Sequence, residues 1–130
     1  MEGMRLEAER LLAQAEEDQV TATVLLEGGR YYAAAFFAHQ AAEKALKALY
    51  IQKLLTLPRS HDLLSLAEGL QAPEDVQEGA RLLTPDYTLS RYPDVAGTVP
   101  AKLYGKPQAT SRVKAAERIL EWVKAEICTS

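Results

Sequence analysis

Hydrophobic positions recur every three or four residues over two long stretches at the start of the chain. Met4, Ala8, Leu12, Ala15, Ala22 and Leu26 fall on one side of a helix, a stripe that Gln19 interrupts. Gly28-Gly29 ends that helix, because glycine takes the positive φ that a helix C-cap needs. A second helix is predicted from about Arg30 to Leu55, roughly 36 Å long at ~1.5 Å per residue. A link this short predicts that the two helices pack antiparallel. In the second helix Gln40, Glu43, Lys44 and Lys47 make a polar face, while Ala38, Ala42, Ala45 and Leu49 point the other way. His39 falls on the boundary between them.

Further along, the elements shorten. The prolines at 58, 73, 85, 93, 100 and 107 lie between helical stretches, since a helix interior rejects proline by ~3 kcal/mol. Ser60 is predicted to cap a helix from His61 to about Leu70, with Asp62 in the first turn favouring the helix dipole. Glu74 to Leu83 reads as another short helix. Thr84 to Lys106 has turn chemistry and no sustained period, and a loop of that length in a compact domain is functional or mobile. Pro107 opens a last helix on which Val113, Ala116, Leu120, Val123 and Ile127 form one stripe. Trp122 is read on the opposite side, which predicts cover from the bundle and from another chain. No strand-like alternation and no internal repeat occur. The fold class is all-α: an up-and-down helical bundle with two long antiparallel N-terminal helices, short middle helices and a long C-terminal one.

Composition narrows the setting. The 130 residues are 48% apolar and 25% charged, which suits a single domain over residues 1–130 that buries roughly two-thirds of its unfolded surface. No apolar run approaches the ~20 residues needed to span a bilayer, and MEGMRLEAERLL is too charged for a secretory signal. Cys128 stands alone, so no internal disulfide forms. A cytoplasmic protein without a membrane partner is expected. The net charge of −3 argues against a protein that coats DNA, but it hides an asymmetry. Residues 1–27 are strongly acidic. Residues 86–118 carry Arg91, Lys102, Lys106, Arg112, Lys114 and Arg118 against Asp86, Asp94 and Glu117. If any surface attracts phosphate it lies in that second stretch; on charge alone a solvated mixed surface fits equally well.

Four places carry candidate chemistry. His39 and Glu43 are spaced as a helical metal or acid/base pair, but only His61 could add a histidine ligand, so a boundary histidine bonded to Glu43 or a tyrosine is the simpler reading. Glu43 and Lys47 form a favourable i, i+4 pair that marks a helix face, worth a few tenths of a kcal/mol when exposed. His61, with Arg59 and free N–H groups at a helix start, suits an anion; it would equally anchor the loop to the long helices. Arg91-Tyr92-Pro93-Asp94 groups a guanidinium, an aromatic face and a carboxylate. Arg91 would hold phosphate and Tyr92 stack on a base, or Arg91 and Asp94 would bond each other or nearby backbone groups and lock the loop. No glycine-rich phosphate loop or hydrolase triad is present.

Taken together, LLEGGRYYAAAFFAHQAAEKALKALYI, RSHDLLSLAEGL, RYPD and AAERILEWVKAEI resemble the HEPN domain family over nearly the whole chain, in order and spacing. The resemblance implies a helical bundle that is usually a homodimer and is linked to nucleotides or RNA. It also implies a nucleotidyltransferase partner of the MNT type, often in a toxin–antitoxin pair. RNA-cleaving members carry an Arg followed, after four to six residues, by a His. From Arg91 that His falls at Ala96, Gly97 or Thr98, so the motif is missing. What carries over is Arg91, Tyr92, Asp94 and His61 as ligand-binding residues, with no catalytic residue, metal or cofactor assigned. Two alternatives are a divergent metal-independent ribonuclease using His61 or His39 with Arg91, and a purely structural dimerisation module.

Overall fold

The computed structural model describes residues 4–129, without the side chains of Val95 and Thr129, and among these residues all regular structure is helical. The helices are α1 (Leu6–Glu27), α2 (Tyr31–Leu54), α3 (Leu63–Gly69), α4 (Glu74–Leu83), α5 (Asp86–Leu89), α6 (Pro93–Ala96) and α7 (Lys106–Thr129), with a 3-10 turn at Pro100–Lys102 before α7. None is long and apolar enough to cross a membrane.

The α1–α2 turn closes as the glycine pair requires. Gly29 has φ 77°, its N–H donates to Leu26 O at 3.1 Å, and the N–H of Arg30 donates to Leu25 O at 2.8 Å. These two bonds satisfy carbonyls that the helix end leaves open. The helices then run antiparallel: Arg5 N–H, at the start of α1, donates to Gln52 Oε1 near the end of α2 at 2.9 Å, and Lys44 pairs with the buried Asp18. Ala34, Ala38, Ala41, Ala42 and Ala45 are fully buried in α2, and their small side chains let neighbouring backbones approach closely.

α7 lies along both long helices, with its predicted stripe in the core. It is held to α1 by Gln19, whose Nε2 donates to Val113 O at 3.0 Å. The polar interruption in the α1 stripe is therefore a tie between helices. Trp122 is partly buried against the core of its own chain. The expected stripe left out the fully buried Ile119, which widens the inward arc of α7 to within one step of Trp122. The side opposite the core is thus not where Trp122 lies.

Two further boundaries differ from expectation. The cap of α3 is Asp62, whose carboxylate accepts from Ser65 N–H, and Ser60 Oγ accepts from Asp62 N–H at 2.9 Å. Ser60 shapes the approach and Asp62 caps, so His61 precedes the helix and an acidic group already fills the anion-favouring end. The 84–106 segment is not an open loop: it folds into α5, α6 and the 3-10 turn. Proline starts α6 and that turn, and the turns are too short to show a period in sequence. α3 also meets α2 closely, since a Cβ on Gly69 would stand 1.8 Å from Tyr50 Oη.

Candidate functional site

One face of α2 presents Phe36, His39, Glu43 and Lys47 at steps of three, four and four residues. The polar face expected here is not a solvated one. His39 is fully buried rather than at a boundary, and Glu43 is only 7% exposed. The reason is that His61 and Tyr87 cover this face. The Glu43 carboxylate accepts from His61 Nδ1 at 2.9 and 3.0 Å and from Lys47 Nζ at 3.0 Å. Glu43 therefore anchors a site instead of marking an exposed helix surface.

His61 is fixed at two points. Besides the Glu43 contact, its backbone carbonyl accepts from His39 Nε2 at 3.2 Å. With Nε2 donating, neutral His39 carries its lone pair on Nδ1, and that atom has no hydrogen-bond partner. Glu43 Oε1 lies 3.8 Å from it. Burial pushes His39 down to about 4, against the opposing pull of Glu43 and the His61 carbonyl. At neutral pH His39 is thus an uncharged internal strut, while the half-exposed His61 ring reaches solvent.

Tyr87 joins these residues to α5 and α6. Its ring stacks on His61 at 4.1 Å between centroids with an 11° tilt, and lies 5.4 Å from His39 and 6.5 Å from Phe36. One helical turn later, the Arg91 guanidinium stands 4.4 Å from the Tyr87 ring centre, 4.8 Å from Tyr92 and 5.0 Å from Phe36. Three aromatic quadrupoles attract this one cation. Arg91 Nε donates to Tyr87 O at 3.0 Å, and its terminal amino groups make no hydrogen bond among the described residues. Arg91 does not pair with Asp94, but its bond to the Tyr87 carbonyl ties it to nearby backbone, which is the other form of the expected loop lock. Asp94 is exposed in the first turn of α6 and joins the cluster through no hydrogen bond or ion pair among the described residues. Tyr92 is 47% exposed.

A second buried network sets the position of α5. Asp86, next to Tyr87, is fully buried; it accepts from Tyr104 Oη at 2.6 Å and from Arg112 Nε at 2.9 Å. Burial raises the Asp86 pKa, with Tyr104 and Arg112 pulling it back, and burial together with Asp86 pushes the Tyr104 phenol up. Arg112 is thereby engaged internally, and Arg118 pairs with Asp75. The cationic bias of residues 86–118 is smaller at the surface than in the sequence, and Arg91 is the cation set over Tyr87, the ring that also stacks on His61.

Of the sequence candidates, Arg91, Tyr92 and His61 come together and Asp94 stays apart. Phe36 and Tyr87 were missed as site residues, and Glu43, weighed with His39, was read as marking a helix face. The 36-39-43-47 spacing and the one-turn separation of Tyr87 from Arg91 are the signals that could have found them. Among the described residues no group of three or more His, Cys, Asp or Glu is arranged to hold a metal ion.

The HEPN domain model matches residues 8–126, and the chain belongs to the HEPN domain family. Two solved structures are similar over almost their full lengths. TT1696 from Thermus thermophilus is 34% identical with a TM-score of 0.84, covering 93% of this chain and 98% of its own. ST0689, an archaeal HEPN homologue, is 36% identical with a TM-score of 0.81, covering 95% of this chain and 99% of its own. No curated protein matches the chain.

Proposed function

We propose that this HEPN protein is a binding module for nucleotides or RNA, with its ligand site at the Arg91–Tyr92 edge of the Tyr87 cluster. The observation that carries this reading is the Arg91 guanidinium, held over Phe36, Tyr87 and Tyr92 with its terminal amino groups unbonded. A guanidinium fixed in this way meets a phosphate in bidentate fashion and loses little freedom doing so. The exposed Tyr92 ring offers a stacking face for a base, and stacking of that kind contributes ~1–3 kcal/mol per base. A nucleotidyltransferase of the MNT type, in a toxin–antitoxin-like pair, is the protein partner this reading expects. Fluorescence anisotropy with labelled single-stranded RNA tests it. Arg91→Ala, folded normally by circular dichroism, is expected to bind at least about tenfold more weakly, the loss of one charge-assisted contact. Equal binding of nucleotide and RNA by the variant overturns the reading.

A second reading, a divergent metal-independent ribonuclease, is favoured by the Glu43–His61 contact. A carboxylate bonded to Nδ1–H fixes the tautomer and leaves Nε2 to act as a base, with Arg91 set over the Tyr87 ring on which His61 stacks. Slow RNA cleavage in the presence of a chelator, abolished in His61→Ala, is its signature. Equal cleavage by wild type and variant excludes it.

A further inference from the structure

Antiparallel packing sets the start of α1 beside the end of α2, and a cleft of about 560 Å³ opens there. Its size is that of a small-molecule site, and so is its chemistry, mostly apolar with a few polar groups. Leu11, Ile51, Leu55 and Leu57 supply the apolar lining. None of the residues around Tyr87 takes part, and among the described residues no aromatic ring lines the cleft, so a base finds nothing there to stack on. Leu55 is placed at a cost to the fold. It ends α2 with φ 57° and ψ 30°, the left-handed region that glycine or asparagine ordinarily fills. Its side chain is 65% exposed and that of Leu57 57%. Burial within this chain therefore returns little for the strained backbone or for the apolar area left in water.

Charge narrows the occupant. Arg5 and Arg10 line the same cleft as Glu7, two positive charges against one negative, which leaves one positive charge in balance. None of the three has an ion-pair partner among the described residues. A ligand with a single negative charge complements that balance, and one aliphatic chain suits a lining of leucine and isoleucine. A peptide fits less well, because its amide groups would face that apolar lining without partners. We infer that the cleft binds a free fatty acid, a single-chain aliphatic carboxylate. The chain lies against Leu11, Ile51, Leu55 and Leu57, and the carboxylate meets the Arg5 and Arg10 guanidiniums, whose forked donors match it. The strained leucine then gains its burial from the ligand. This site is separate from the one proposed for nucleotides or RNA and shares no residue with it.

Isothermal titration calorimetry of the full chain with dodecanoate, kept below its micellar concentration, tests the site. One molecule is expected to bind per chain, and acetate, the head group alone, should not bind. Dodecyltrimethylammonium, the same chain with the opposite charge, is expected to bind at least about tenfold more weakly. Arg10→Ala is expected to lose at least about tenfold in dodecanoate affinity, the loss of one charge-assisted contact. Leu55→Gly should also lose affinity while its urea midpoint stays level or rises, because glycine relieves the left-handed backbone. Both residues are exposed, so circular dichroism should be unchanged in either variant. Absence of dodecanoate binding, or equal affinity for the ammonium compound, overturns the proposal. Dodecanoate affinity unchanged in Arg10→Ala or in Leu55→Gly overturns it as well. So does binding to phosphatidylglycerol vesicles without binding of free dodecanoate, which would mark the leucines as a membrane contact.

Discussion

His39 shows how far burial changes the meaning of a residue. In sequence it is a histidine beside a polar helix face, and in the fold it is an uncharged strut between α2 and the chain before α3. Its pKa is lowered to about 4 by burial, so below the ordinary histidine value the unfolded chain takes up a proton that the folded one refuses. The sign follows from linkage: this contribution to stability is complete above about pH 6.5 and is lost as pH falls towards 4. The loss amounts to about 3 kcal/mol across that window. Urea denaturation at a series of pH values should show it, and His39→Leu should flatten the slope there. An unchanged slope in the variant would mean that other groups carry the acid sensitivity. The burial itself was not legible, because nothing in the 28–50 stretch tells that His61 and Tyr87, from distant segments, close over it.

At the level of elements, the long helices were legible because their periods are long and their ends chemically marked. The α1 stripe, the Gly28-Gly29 turn and the α7 stripe stand where the pattern placed them. Short elements gave less, since one helical turn has no period to read. This is why the cap of α3 was assigned two residues too early, and why α5 and α6 passed for loop. Two outcomes test the corrected elements. Asp62→Ala should cost about 1 kcal/mol in chemical denaturation as the α3 cap is lost, and Ser60→Ala should cost less. Asp86→Ala should cost several kcal/mol, because it strands the Arg112 guanidinium and the Tyr104 hydroxyl in a buried place. It should also weaken RNA binding, as α5 carries Tyr87 and leads into Arg91. Binding at wild-type strength in a folded Asp86→Ala protein would separate the buried lock from the ligand site.

For the whole molecule, the family resemblance carried the fold, while Tyr87, against which both His61 and Arg91 pack, emerged only from the packing of α5 on α2. An acidic chain with a single well-placed guanidinium predicts weak electrostatic dependence. The slope of log affinity against log salt for single-stranded RNA should be shallow, and it should drop by about 0.7 in Arg91→Ala. The most direct measurement is a titration of isotopically labelled protein with short single-stranded RNA and with mononucleotide, followed by amide chemical shifts. The predicted result is a compact set of shifted amides around His61, Tyr87, Arg91 and Tyr92, absent in Arg91→Ala. Shifts confined to other surfaces, or none at saturating ligand, would contradict the assignment of this cluster as the binding site.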